Sequence, residues 1–492
     1  MKTFLNTVLM IVLVCFLITS SYAQQNLSKA MVKIYTVYTE YDYEMPWQIS
    51  KQKESTGSGC IISGKRILTN AHVIANQRFI QVKHAGEAKK YVAEVEFVAH
   101  DCDLAVLKVK DDSFFTGVEP LAIGDLPRMQ DRVAVFGFPE GGDELCITEG
   151  VVSRVEYQNY AHSIASLLAC QIDAAINAGN SGGPVMKDGE IVGVAFQKQD
   201  SGEKIGYMIP APVIHHFIKD IEDSRYHGVP SLEAYFQSME NPSLRARYHM
   251  NENQTGVVVT YIPPGSPIES ILKNGDVILA IDGHVVENDG TIALRDYERI
   301  DADYVVNSKF IGDSVQFRIL RDGKVIDVGV VLTSPIDTSL LVPYTQYDKS
   351  PTYYIVGGFV FQPLTANYLS KWPQQKDAPA NLVHYFFNGR RSIDQMQIIV
   401  LSQVFGDEIT MGYSHLTDNI ITQVNGKRIV SMEDLVNAIE LNTGEYHVIV
   451  DEDGNQIVLG TSKAKAANQR IMNNYEIRSD RSGDLKKSPV KQ

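Results

Sequence analysis

One string in the 492-residue chain has a composition suited to covalent chemistry: Gly179-Asn180-Ser181-Gly182-Gly183-Pro184. A serine among glycines on a tight turn presents its hydroxyl while nearby N–H groups converge on one point, because glycine accepts backbone angles and close approaches that other residues resist. The Gly179 and Ser181 amides are then the candidate oxyanion hole, an effect worth roughly 3–4 kcal/mol per donor. A serine hydroxyl is a poor nucleophile until a base takes its proton. Leu68-Thr69-Asn70-Ala71-His72-Val73 offers that base in a strand-to-turn setting of small residues. The base in turn needs an orienting carboxylate. Asp103 stands just ahead of the apolar run Leu104-Ala105-Val106-Leu107, where an unpaired charge would be costly. Taken singly, these are a loop, a strand histidine and a turn aspartate. In the order His, Asp, Ser within one strand-rich segment they form a catalytic triad, an order already known for this chemistry.

The elements that must position these residues are short strands. From Met31 to about Asp223, runs such as Val32–Tyr38, Gly59–Ser63, Leu104–Val109 and Ile191–Ala195 alternate with turns such as Lys187-Asp188-Gly189. That pattern predicts a β-sandwich or barrel. It closes on a helix over Val213–Ile221, introduced by Pro210 and Pro212. A second block, 226–334, contains Gly256-Val257-Val258-Val259 and Gly275-Asp276-Val277-Ile278-Leu279-Ala280-Ile281-Asp282-Gly283. A third, 340–461, echoes it weakly in Ile420–Lys427, with Asn425-Gly426 in place of Asp282-Gly283. Residues 462–492 begin with a helix-like run, Ser462–Tyr475, and finish polar and basic at Asp484-Leu485-Lys486-Lys487-Ser488-Pro489, an ending that reads as a disordered tail.

The whole-chain properties bound the rest. A chain of this length needs about three domains. A formal net charge of −14 argues against nucleic-acid binding. Lys2, the apolar run Val8–Ile18 and the small residues before Gln24 predict a secretory signal peptide over 1–23. Removing it leaves Cys60, Cys102, Cys146 and Cys170, which read as buried thiols or as up to two disulfides. No cysteine or histidine grouping has metal-ligand spacing, and no cofactor is implied.

Residues 31–223 resemble the HtrA/Deg family of serine proteases in Gly57–Ile62, Thr69-Asn70-Ala71-His72, Asp103–Leu107, Asp173–Asn177, the Ser181 string and Gly206–Pro210. Glu287–Thr291, Leu341–Tyr344, Tyr353-Tyr354 and Pro363–Thr365 are similar to the plant-type Deg subgroup, whose second PDZ domain is divergent. The resemblance implies a mainly β chain: a chymotrypsin-like double β-barrel over 24–223, then two PDZ-like α+β domains. It implies a serine endopeptidase acting on unfolded or damaged proteins, with Phe196 and Gln197 at the substrate pocket. Ala178 replaces a proline common in the family, and Cys60 a phenylalanine; neither change touches the chemistry. PDZ domains capture peptide C-termini by strand addition, and Thr255, Gly256, Val257 and Val258 match the binding loop and strand. The N-terminal aromatics Tyr35, Tyr38, Tyr41, Tyr43 and Trp47 suit either a half-buried strand or, by resemblance, the contacts of a homotrimer or a multiple of it. Location outside the cytoplasm, in a periplasm or secreted, is expected from the signal peptide. The rival functions are a holdase or peptide-binding scaffold with an idle protease fold, and a processing protease with one substrate.

Overall fold

Alternating and fully apolar strands close on themselves twice. The computed structural model describes residues 27–139, 142–198, 205–336 and 340–486, so the predicted signal peptide lies outside the described residues. Strands β1 (Met31–Tyr38), β2 (Lys53–Ile62), β3 (Arg66–Thr69), β4 (Gln77–His84), β5 (Tyr91–Ala99) and β6 (Leu104–Val109) form a closed barrel in the order β1-β2-β3-β6-β5-β4. Strands β7 (Arg132–Gly137), β8 (Cys146–Asn159), β9 (Ser166–Ile172), β10 (Pro184–Lys187), β11 (Glu190–Lys198) and β12 (Gly206–Pro210) form a second, in the order β10-β11-β12-β9-β8-β7. Closure leaves neither sheet an unpaired edge. Leu104 to Leu107 are wholly buried, as a continuous apolar strand requires. One core joins Ile34, Leu68 and Val106 of the first barrel to Phe136, Tyr160 and Phe196 of the second, so the seam between them is packed. The predicted helix spans Ala211–Asp220, with Pro210 at its cap. Cys60, Cys102 and Cys170 are buried thiols and Cys146 is half-buried; no disulfide joins them.

The second unit is a sheet of β13 (Tyr235–Ser238), β14 (Val257–Tyr261), β15 (Val277–Ile281), β19 (Ser314–Arg321) and β20 (Lys324–Val331), in that order. Strand β16 (His284–Val285) pairs with β15, while β17 (Thr291–Arg295) and β18 (Glu298–Asp301) form a separate ribbon. Asp276, 1 % exposed, is held by a two-pronged pair: Arg321 Nε donates to Oδ1 at 2.7 Å and Nη2 to Oδ2 at 2.6 Å. The same guanidinium donates to the Ile271 carbonyl at 2.8 Å, which ties the Leu272–Gly275 loop to β19.

The third unit orders β21 (Tyr354–Val356), β22 (Phe359–Pro363), β23 (Ile399–Val404), β24 (Ile420–Val424), β26 (Tyr446–Asp451) and β27 (Gln456–Gly460), with β25 (Lys427–Arg428) on β24. The predicted terminal helix spans Thr461–Asn474. The segment just beyond it is paired into the fold, and residues 487–492 of the expected disordered ending lie outside the described residues. Ile355 N–H donates to the Asp480 carbonyl at 2.7 Å and Ser482 N–H to the Tyr353 carbonyl at 3.0 Å, so the chain caps the outer edge of its own β21. Arg481 pairs with Glu440 at 2.6 Å and stacks over Tyr354, and Leu485 packs on the core. Backbone pairing holds these polar residues against the sheet edge.

The N-terminal aromatics are used within the chain. Trp47 packs edge-on against Tyr353 and tilted against Phe405, with ring centroids 6.1 and 5.5 Å apart. Gln362 Nε2 donates to the Tyr43 carbonyl at 2.9 Å. The loop after β1 therefore docks the first barrel onto the third unit.

Asp276→Ala leaves Arg321 partly buried without its counter-charge. The expected loss is about 3–5 kcal/mol from the second unit, seen in calorimetry of the full chain as a lowered transition for that unit; an unchanged thermogram would remove the pair from the account of its stability.

Candidate active site

The Asp103 carboxylate, 1 % exposed, receives two donors from one residue. His72 N–H donates to Oδ1 at 2.8 Å, and His72 Nδ1 lies 2.7 Å from Oδ2. Asn70 Nδ2 donates to the Asp103 carbonyl at 2.8 Å, cross-linking the turn before His72 to the start of β6. Asp103 adopts a left-handed φ of +53°, a conformation that aspartate visits more readily than most residues. His72 sits on the short helix Ala71–Ile74, its side chain 31 % exposed.

The Ser181 turn is pressed against this arrangement. Ser58 N–H donates to the Ser181 carbonyl at 2.8 Å, and Ser58 Oγ donates to the Gly179 carbonyl at 2.6 Å while accepting from Phe138 N–H at 2.9 Å. Gly182 has φ +82°, and a Cβ there would lie 2.2 Å from both the Ser58 carbonyl and Thr69 Oγ1, and 3.1 Å from Asn70 N. The absence of a side chain thus lets the serine turn abut the turn that carries His72. The Gly179 and Ser181 N–H groups are not engaged by an acceptor among the described residues, and Gly179 has φ +93°. Ser181 Oγ faces the Phe196 carbonyl at 3.5 Å, a long contact, and makes no hydrogen bond to His72. Catalytic hydrogen bonds of this kind are often long or unformed before substrate binds.

Electrostatics follow from burial. Burial alone would lower the His72 pKa, but the adjacent Asp103 carboxylate overrides it and raises the ring above the usual 6.5. Burial opposes the Asp103 charge, and the facing His72 and His162 still hold it below the ordinary carboxylate range. His162, in the β8–β9 loop, has its ring centroid 6.1 Å from that of His72; burial pushes its pKa down to about 3 and keeps it neutral.

The other expected positions fall as follows. Phe196 is buried against Tyr160, centroids 4.6 Å apart, at a bulge in the β11–β12 pairing, and the Gln197 backbone pairs with Tyr207. Thr255 to Val258 are not at a free edge. Thr255 Oγ1 donates to the Val286 carbonyl at 2.7 Å. Gly256 N–H bonds Asn288 Oδ1 at 3.2 Å. Val257 and Val258 pair with Ser238 and Gln237 of β13 on one side and with Ile278 and Val277 of β15 on the other. Strand addition at β14 is sterically closed; the edge of this sheet is β13. Sequence reasoning missed His162 as well as His100, Tyr347 and Asp348, which gather beside His72. A histidine in a loop and a tyrosine between domains carry no local signal.

A model of the trypsin-like peptidase domain matches residues 57–194, and models of PDZ domains match 242–332 and 342–484. The chain is 40 % identical over 460 residues to Protease Do-like 2, chloroplastic, of Arabidopsis thaliana, covering 93 % of this chain and 75 % of that one. It is 39 % identical over 449 residues to Protease Do-like 4, mitochondrial, of the same plant, covering 91 % and 84 %. The fold is also similar to that of the HtrA-type protease AlgW with tripeptide: TM-score 0.51, 24 % identity, covering 65 % of this chain and 98 % of that one. The organellar relatives overturn the expectation of a periplasmic or secreted location: an apolar leader is read without its compartment, and similarity over the mature chain points to organelles. With its trypsin-like domain and two PDZ domains, the chain belongs to the Do-like, or HtrA/Deg, family of serine endopeptidases.

Proposed function

We propose that the protein hydrolyses unfolded or damaged polypeptides without nucleotide, as an organellar quality-control protease, and that its second unit captures peptide C-termini. The observation that carries this reading is the doubly bonded His72–Asp103 pair lying against the Ser181 turn. His72 Nε2 takes the Ser181 proton as Oγ attacks the scissile carbonyl, and Asp103 holds Nδ1–H and stabilises the imidazolium. The unengaged Gly179 and Ser181 amides receive the oxyanion. His72 then protonates the leaving amine, and water repeats the sequence on the acyl-enzyme. The reaction is downhill in water, so no nucleotide is needed to drive it. Homo-oligomeric assembly, as a trimer or a multiple of it, belongs to the same proposal by family resemblance. Within one chain, Tyr43 and Trp47 pack partly buried against the third unit.

Peptide capture is assigned to β13. Its neighbourhood holds a cavity of about 240 Å³ lined by Leu232, Tyr235, Phe236 and Val306, together with Tyr157 of the second barrel. These apolar groups suit the last side chain of a peptide added to the edge.

Mature chain should digest reduced casein, and Ser181→Ala should not. Asp103→Asn should lower kcat by about 10⁴-fold. Because His72 must be neutral to act, kcat/KM should fall as pH drops through its raised pKa, and Asp103→Asn should move that acid limb to lower pH. Casein cleavage surviving in Ser181→Ala would defeat the assignment. Phe236→Ala should weaken binding of hydrophobic C-terminal peptides by about tenfold, about 1.4 kcal/mol; fluorescence anisotropy showing equal affinity would move the capture site away from β13.

A further inference from the structure

Beside His72 lies a cavity of about 400 Å³ whose walls come from the first barrel, the loop after β1, His162 of the β8–β9 loop, the segment that precedes the third unit, and Asn367 and Ser370 of that unit. The segment before the third unit is fastened to the active-site rim. Tyr347 stacks face to face on His162, centroids 3.8 Å apart and planes 18° apart, and its hydroxyl donates to the His162 carbonyl at 2.9 Å. It also stacks on His100 at 5.0 Å. His100 bridges the two sides, with Nδ1 2.9 Å from His162 Nε2 and Nε2 2.8 Å from Asp348 Oδ2. Asp348 and Asn76 exchange two hydrogen bonds, each 2.7 Å, just past the helix that carries His72. Gln346 and Asn367 exchange another two, of 2.8 and 2.9 Å, which anchor the segment to the third unit.

Resting on the protease reading, we infer that Tyr347 is a specificity-determining residue: its ring, backed by His162, walls the subsite that takes the substrate side chain next to the scissile bond on the His72 side. The reach is set by chemistry. His72 must touch both Ser181 Oγ and the leaving nitrogen, so a cavity of which His72 is itself a wall lies within one residue of the scissile peptide. Residues of an extended substrate are spaced about 3.3 Å apart with alternating side chains, so a side chain one residue from the scissile bond can enter this cavity. His162 is buried behind the Tyr347 ring that stacks on it, and both line the cavity with His72. The Tyr347 ring occupies space on the wall beside His72, so the parent takes broad aromatic side chains less well than a variant in which that ring is removed. A trypsin-like domain without the segment 344–348 would lack this wall.

The test profiles full-length parent, Tyr347→Ala and Tyr347→Phe on a peptide library, with fluorophosphonate labelling of Ser181 as a control that does not need the subsite. Tyr347→Ala should be labelled as the parent is and should gain about tenfold or more in kcat/KM for peptides with Phe or Trp at the adjacent position, relative to those with Ala, the scale of discrimination a pocket wall supplies. Tyr347→Phe, which keeps the ring, should retain the parent profile. Normal labelling of both variants with an unchanged profile overturns the subsite and leaves the protease intact. A profile lost equally in both variants overturns it too, since the ring would then not be the determinant. A parent that neither labels nor cleaves removes the protease reading, and the subsite with it.

Discussion

Burying the Asp103 carboxylate at the seam of the barrels is the constraint on which the site depends. An ionised carboxylate taken out of water is tolerated only when its acceptors are filled. Here the backbone N–H and ring nitrogen of the same histidine fill them. His72 is thereby fixed at two points, and its rotation and tautomer follow. Nδ1 must carry the proton to satisfy Asp103, which leaves Nε2 free to accept one. The cost of the burial becomes orientation of the base, and the same charge raises the base's pKa against its own desolvation.

The serine side is held differently. It relies on backbone closeness, with Ser58 as the common clamp: one residue binds the Ser181 carbonyl through its N–H and the Gly179 carbonyl through its hydroxyl. These bonds fix the turn and leave two N–H groups unspent. Ser181 Oγ alone is left loosely held, by a single 3.5 Å contact. The candidate base is held by two bonds, while the candidate nucleophile has a single long contact.

The parts legible in the sequence were those governed by local backbone rules. Gly182 betrays the tight approach because no other residue fits there, and Asp103 stands out as a charge at the mouth of a wholly apolar strand. The terminal helix and the barrel strands follow from period and punctuation. The parts that were not legible depend on pairing between distant segments. Val257-Val258-Val259 is the stronger strand signal, and for that reason it is interior: β-branched residues fill the middle of a sheet, while the more polar Tyr235-Phe236-Gln237-Ser238 serves as its edge. The tail at Asp480–Ser482 is polar in composition and ordered by main-chain bonds to Tyr353 and Ile355, which composition does not encode. Trp47 and Tyr43 face the third unit for the same non-local reason.

These long-range contacts divide the labour of the molecule. The bonds that His72 and Asn70 make to Asp103 lie within the first barrel. The cavity beside His72 depends on the domains that follow, since Gln346 and Tyr347 arrive on a segment anchored to Asn367, and Tyr43 is bonded to Gln362. The Asp348–Asn76 exchange is exposed, and such contacts are individually weak; the stack of half-buried Tyr347 on buried His162 adds an apolar contact to the wall. Chemistry is thus built into the barrels, while the choice of what reaches it is built partly from the segment that follows them.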